Sequence, residues 1–437
     1  MAADQAGSGE HVITIDDVNG LATELKKSIA DDSLFRPLKC CIFRVPTILS
    51  RHNENAYVPN AFSIGPFHYM KQPVMQATQK IKLRYLKGLI SRSQPSPGID
   101  DESRLKDFIN AVGRHLEVAL EYYAEPVSMS LKEFTHVLVV DGCFLIELFR
   151  KKAYKDLRDE NDPIFKTSCL LQFLHNDLIL LENQIPWLVL DTLFQLTKDT
   201  SIDKKTLVQL AIEFFGNIFS TTQPPVQPHD LDKLKGTKHI LDLLRSSLVC
   251  FSNMYNAKIP WKPMPSASRL KEAGVKFKKA KDSKSILDIK FSNGVLEIPP
   301  LLIEETTEPI FRNLICLEQC CPGYEAAITS YAILMDNLIN TTTDMDILCD
   351  SGVVQNWLNV EDATKFFNQL YTDTYVKENY YLLLAAQVNR HCKRHWPRYR
   401  TVLMRDYFNH PWALTSVIVA AFLVVCTFLQ TYYSIVK

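Results

Sequence analysis

Apolar side chains recur along this chain mostly at intervals of three and four, the period of an amphipathic helix. Leu21, Leu25 and Ile29 share one face of a helix predicted near Asp16–Ala30, with Thr14 or Asp16 as its N-cap. A basic amphipathic helix is predicted from Thr78 to Ser91. Between Asp100 and Glu125, the residues Leu105, Phe108, Ile109, Val112, Leu116, Ala119, Leu120 and Tyr123 are expected to fall on one face, and Pro126 stops that helix. Leu131–Lys152 is apolar almost all round, which predicts a buried helix with Gly142 as a candidate kink. Helices follow over Phe165–Gln184, Pro186–Leu196 and Leu207–Phe219, with Pro186 in a first turn. They resume over Pro309–Cys320, Tyr324–Leu338 and Val360–Tyr371. The last, Val376–Tyr407, carries Pro397 as a kink and leads towards the C-terminal segment.

Three stretches lack this period. The first runs from Lys39 to Tyr69, rich in apolar residues but broken by Pro46, Pro59 and Pro66, with a turn at Gly65-Pro66. It reads as an irregular layer packed onto helices. The second, 223–267, opens on a proline-rich break and reads as an insertion or linker around one helix near Lys238–Leu248. In the third the period shortens to two. Val275–Lys279, Ile286–Phe291 and Val295–Ile298 are short and β-branched, and Asn293-Gly294 between the last two signals a hairpin. The fold class is therefore mainly α: a multi-helix body with one small β-hairpin or meander at about 275–302.

The C-terminal stretch Trp412–Val436 changes the picture from a globular body to an anchored one. It holds no Asp, Glu, Lys, Arg or His. From Trp412 to Tyr432 there are 20 residue steps, and at about 1.5 Å per step a helix covers roughly 30 Å, the thickness of a bilayer's hydrocarbon core. Trp412 stands at one end and Tyr432 with Tyr433 at the other, where aromatic rings prefer the headgroup level. We expect a single-pass, tail-anchored membrane helix over 412–436, a body over 35–408 and a polar segment over 1–34. Arg390, Lys393, Arg394, Arg398, Arg400 and Arg405 precede the span and Lys437 alone follows it, which puts the body in the cytosol, at the plasma membrane or an endomembrane. The first twenty residues have no basic start and no apolar core, so no signal peptide is expected.

Charge and cysteine content narrow the function classes. Lys+Arg and Asp+Glu are 49 each, so no electrostatic footprint for nucleic acid exists. The 11 cysteines are odd in number and show no disulfide framework; reduced thiols in a cytosolic body are the simpler reading. Asn340-Thr341-Thr342 is a formal glycosylation sequon that one occurrence does not raise above chance. Nucleophile elbows, Walker loops, dinucleotide fingerprints, HExxH and paired CxxC are absent.

Three groups could carry chemistry. Asp141 and Glu147, on an apolar helix, together with Asp177 and Glu182 in HNDLILLENQIP, could act as acid and base if burial raised their pKa values. A structural network capping the backbone is the competing reading. Cys316, Cys320 and Cys321 could form half a metal site with Cys40 and Cys41, though a helical C-x3-C is not a usual zinc spacing, and buried inert thiols fit better. Lys276, Lys278, Lys279, Lys281 and Lys284 read as a solvated strand edge. His52 and His68 have no cysteine or carboxylate at ligand spacing and read as structural. Neither a cofactor nor a metal is expected.

Seven blocks in order carry a resemblance. CIFRVPTILSRHNENAYVPNAFSIGPFHY, VVDGCFLIEL, DLILLENQIPWLVL, LKEAGVKFKK, GVLEIPPLLI, ITSYAILMDNLINT and FNHPWALTSVIVAAFLVVCTFLQTYYS resemble the plant-specific DUF247 family, also called UPF0481 proteins. The resemblance runs from about Cys40 to Ser434. It implies a mostly helical plant membrane protein with one C-terminal span, and it supplies no reaction. Some grass members are implicated in self-incompatibility, which implies recognition. The expected function is therefore non-enzymatic: a membrane-anchored protein acting in protein–protein recognition or signalling. The alternative is a membrane-tethered hydrolase using Asp141, Asp177 or Glu182. Partner identity and oligomeric state are left open.

Overall fold

The chain is described from a computed structural model covering residues 14–29, 39–92, 100–199, 201–216, 218–219, 228–250, 252, 259–281, 283–393 and 411–436. Its centre is the helix over Leu131–Ala153. Ser130 accepts the Glu133 amide while the Glu133 carboxylate accepts the Ser130 amide, which closes a capping box at its start. Arg150, Lys151 and Lys152 fill its last turn, where cations complement the helix dipole. Every residue from Val137 to Lys151 is buried, so helices cover it on all sides.

The helices are numbered in chain order as α1 (Ile15–Ile29), α2 (Pro73–Arg92), α3 (Asp101–Gly113), α4 (Leu131–Ala153), α5 (Ser168–Asp177), α6 (Trp187–Leu196) and α7 (Leu207–Phe215). They continue as α8 (Ile240–Val249), α9 (Thr307–Cys320), α10 (Ala327–Leu338), α11 (Thr342–Asp350), α12 (Val360–Gln369), α13 (Leu382–Cys392) and α14 (Pro411–Val436). Helices α2, α3, α6 and α7 all pack on α4. In a second group, α8, α10 and α12 pack on α9, with Phe311 stacked on Tyr331 at 5.8 Å, and α11 packs on α12. Helix α1 buries none of its side chains.

The expected hairpin is present. Strands β2 (Lys290–Ser292) and β3 (Val295–Ile298) pair antiparallel about Asn293 and Gly294, both at positive φ as a type I′ turn requires. The third strand, β1 (Lys276–Lys279), pairs with β3 in parallel, so the sheet order is β1-β3-β2 and not that of a meander. Ile286 and Leu287 are buried in a turn and not in a strand. Directly after Pro299-Pro300, β4 (Leu301–Ile303) pairs in parallel with β5 (Val354–Asn356), a second sheet that no alternation had announced.

Several helix boundaries differ from the sequence expectation for identifiable reasons. The helix expected over Asp100–Glu125 stops at Gly113, and a short turn follows at Leu116–Leu120. The Tyr122 carbonyl then accepts the amides of Cys41 and Ile42, and Ala124 donates to Ile42. Pairing with that segment replaces the helix. The helix expected over Phe165–Gln184 begins as a separate turn at Pro163–Lys166 and ends at Asp177. Gln184 Nε2 donates to the Leu178 and Leu180 carbonyls beyond that end, satisfying groups the helix no longer pairs. Two α-helices longer than a single turn went unforeseen among the described residues, Ala267–Glu272 and α11; the latter is set by a Thr341–Asp344 capping box. Helix α13 starts at Leu382, not Val376, and the rest of that expected helix, 394–407, lies outside the described residues. Gly142 does not kink α4, which runs unbroken through it; a Cβ there would lie 2.5 Å from Leu193 Cδ1, so the glycine lets α4 and α6 approach.

Gly142→Ala is therefore expected to lower stability by about 1–3 kcal/mol through overpacking. Gly88→Ala, in α2 where nothing lies within 4 Å, is expected to raise it by about 0.5–1 kcal/mol through helix propensity. Thermal or denaturant unfolding of the two full-length variants in detergent checks the opposite signs.

Candidate functional site

Three of the four candidate carboxylates, Asp141, Asp177 and Glu182, meet one segment, the irregular stretch from Lys39 to Tyr69. Asp177, at the end of α5, accepts backbone amides from Asn60 (2.7 Å), Ala61 (2.9 Å) and Phe62 (2.7 Å). Asp141, inside α4, accepts the Gly65 amide at 2.8 Å and the Lys82 ammonium at 2.6 Å. Lys82 also donates to the Ser63 carbonyl, and its side chain has no exposure. Glu182 accepts the Val45 amide at 2.7 Å, with His68 Nε2 at 3.1 Å and Arg44 at 3.7 Å. Glu147 faces away from this segment and holds Arg92 of α2 through both oxygens.

The neighbours of these carboxylates complete the same grip. Asn183 Oδ1 accepts the Ile64 amide at 2.6 Å, and its Nδ2 donates to the Phe62 and Asp177 carbonyls. Gln184 Oε1 accepts the Leu241 amide. Asn313, on α9, accepts the Leu181 amide and donates to the Ala56 carbonyl. Gly65 has φ +74°, and any Cβ there would clash with the Gln184 carbonyl oxygen, so the turn requires glycine. Lys82 and Asn313 had no signal in the sequence. Both sit in ordinary helical patterns, and their roles depend on partners 59 and 257 residues away.

Electrostatics follow from burial and bonding. Burial pushes Asp141 above the ordinary carboxylate range, and Lys82 with the Gly65 amide pulls against it. Burial likewise raises Asp177 against its three amides. For Glu182 burial acts upward too, but His68, the Val45 amide and Arg44 outweigh it and hold the carboxyl below its usual range. With their acceptor positions occupied by amides and cations, these groups hold a backbone in place.

The remaining candidates disperse. His68 lies against Glu182, whereas His52 pairs with Asp373 at 2.6 Å on the surface, where Arg51 also binds Asp373. Among the described residues no group of three or more His, Cys, Asp or Glu side chains is arranged to hold a metal. None of the 11 cysteines is in a disulfide. Lys276, Lys278 and Lys279 lie on β1, an edge strand, where Lys278 pairs with Glu297 at 2.9 Å. Clefts among the described residues include two of note. One, of about 550 Å³, lies between the hairpin and α13 and is lined by Leu287, Phe291, Tyr380, Tyr381 and Leu384. The other, of about 260 Å³, is lined by His175, Asn176, Glu213, Phe214 and Glu304. Neither cleft is lined by Asp141, Asp177 or Glu182.

Asp177→Asn turns an amide nitrogen towards backbone donors, so it is expected to cost about 2–5 kcal/mol, read as a loss of thermal stability. A pH dependence also follows. His239 is fully buried; its Nε2 donates to the Cys41 carbonyl and its Nδ1 accepts the Asp242 amide, so the ring is neutral, and burial lowers its pKa to about 4. The unfolded chain takes up this proton near pH 6.5. Stability is therefore complete above about 6.5 and is lost as pH falls towards 4, by roughly 3 kcal/mol from this group. Denaturant unfolding between pH 4 and 7 measures the slope, and His239→Gln is expected to flatten it.

A profile of the DUF247 family, described as plant protein of unknown function, matches residues 42–426. The chain is 28% identical over 431 residues to UPF0481 protein At3g47200 of Arabidopsis thaliana, an alignment covering 91% of this chain and 87% of that protein. It is 21% identical over 491 residues to putative UPF0481 protein At3g02645 of the same plant, covering 90% and 89%. No solved structure matches. The profile spans the gripped segment, the central helix and most of the C-terminal apolar helix, and on that match the chain belongs to the DUF247 family of plant proteins.

Proposed function

We propose that this protein is a non-enzymatic, membrane-anchored recognition protein whose helical body faces the cytosol and engages a protein partner. The observation that carries the reading is the use made of the carboxylates. Acid–base hydrolysis needs a carboxyl group within reach of substrate and water. Asp141, Asp177 and Glu182 instead accept the amides of Gly65, of Asn60 to Phe62, and of Val45. The anchor is supported by α14: the window Ile418–Ile435 has a mean hydropathy of 1.8 and is 0% buried by the body, so its apolar surface needs a bilayer to cover it. The cytosolic side is supported by the excess of arginine and lysine before the span. A self-incompatibility role of the kind implied for some grass members requires the opposite orientation, with the body outside.

Topology is the deciding measurement. The N-terminus is tagged, sealed microsomes are prepared from plant cells, and protease is added from outside. The body is expected to be digested while a fragment containing residues 411–436 survives with the membrane. Asn340 is exposed in this structure and serves as a second reporter. It is expected to carry no glycan. Protection of the body together with a glycan on Asn340 overturns the cytosolic reading and moves recognition to the cell exterior.

A further inference from the structure

At the end of α9, Cys316 and Cys320 place their sulfurs 3.9 Å apart on one helix face. Cys316 is fully buried, while Cys320 is half-buried at the helix terminus. We propose that Cys316 and Cys320 form a peroxide-sensitive dithiol, with Cys320 as the sulfur that is attacked first and Cys316 as the one that resolves it to a disulfide. The assignment of roles follows from position. Cys320 is the sulfur a small oxidant can reach. The Cys316 thiol is pushed well above its ordinary range by its hydrogen bond to Cys320 and by burial, so it is not the sulfur that meets the oxidant first. Cys40, Cys41 and Cys321 stand close enough to feel one another's charge, but Cys41 and Cys321 are buried.

The chemistry balances with a hydroperoxide as oxidant. The Cys320 thiolate attacks the peroxide; an S–O bond forms, the O–O bond breaks, and the leaving hydroxide takes a proton to become water. The Cys316 sulfur then attacks the sulfenic sulfur; the S–S bond forms, the S–O bond breaks, and the Cys316 proton leaves with the hydroxyl as a second water. The sulfur pair loses two electrons and the peroxide gains them.

Closing the bond has a structural consequence. Cβ atoms four residues apart on a helix lie about 5–6 Å from each other, whereas a disulfide needs about 3.5–4.5 Å. The last turn of α9 must therefore tighten. That turn is the helix end: Cys321 is extended and is tied back through its amide to the Leu317 carbonyl. The loop it leads into makes two bonds to α8, from the Tyr324 hydroxyl to Asp242 at 2.6 Å and from Arg245 to the Glu325 carbonyl at 2.5 Å. Oxidation at the Cys pair strains that loop and loosens its grip on α8.

The test uses the full chain, purified reduced in detergent and treated with hydrogen peroxide. Remaining thiols are alkylated and the digested chain is read by mass spectrometry. The expected product is one Cys316–Cys320 link per chain, with the buried Cys143 still alkylated as an internal reference. Hydrogen exchange is expected to rise in 321–326 and to stay unchanged in 137–149. In Cys316→Ala the reaction is expected to stop at a sulfenic acid on Cys320, trapped by dimedone. Cys316 and Cys320 both alkylated after treatment, or Cys320 linked to Cys40 or Cys321, overturns the proposal. The wild-type measurement decides it even where the alanine variant fails to fold.

Discussion

The amides of an irregular segment must be paired inside the protein, and this requirement organises the rest of the structure. Cys41–Phe43 and Ala61–His68 lie buried against helices, and between Cys41 and Phe67 the chain forms only single-turn helices and one bridge of its own. Buried amides without partners would each cost roughly 1–3 kcal/mol. The helices and the loop between α5 and α6 supply the partners through side chains: Asp177, Asn183, Asp141 and Glu182 accept, while Lys82, Asn183 and Asn313 donate to carbonyls. A helix cannot offer its own backbone to a neighbour, because its amides and carbonyls are already paired within it. Polar side chains on apolar helices are therefore the available means of binding an extended strand into a helical body.

The same constraint explains where the helices end. Helix α5 ends at Asp177, the residue whose carboxylate is committed to the amides of 60–62. The chain beyond it turns back so that Asn183 and Gln184 reach carbonyls left open at that end. Helix α3 likewise gives way to a turn where Tyr122 and Ala124 pair with Cys41 and Ile42. Local propensity would have continued both helices; long-range pairing stopped them.

This difference marks what was legible in the sequence. The central helix, the apolar C-terminal helix and the Asn293-Gly294 hairpin depend on neighbours within a few residues, and periodicity or turn chemistry is enough to find them. The layer at 39–69 was legible as an irregular segment because its prolines and apolar content conflict with a helix. Its partners were only half legible. Asp141, Asp177 and Glu182 stood out as charges in apolar surroundings, but Lys82 read as one lysine among several on a basic helix, and Asn313 did not stand out. The parallel pair β4–β5 joins segments separated by all of α9 to α11, and each strand has three residues, too few for alternation to register.

A buried carboxylate with a raised pKa is a common sign of catalysis, and Asp141 and Asp177 carry that sign. Burial produces the shift in either role, so the shift alone does not separate them. The bonding partners do. A catalytic acid keeps at least one oxygen directed at the space where substrate will sit, and it exchanges its proton there. Asp177 directs one oxygen at Asn60 and the other at Ala61 and Phe62; Asp141 directs one at Lys82 and the other at Gly65. Moving either group to serve a substrate would release backbone amides and, for Asp141, leave the Lys82 ammonium with the Ser63 carbonyl in place of its carboxylate. The arrangement makes these carboxylates necessary to the fold, which supports the proposal that they are not catalytic.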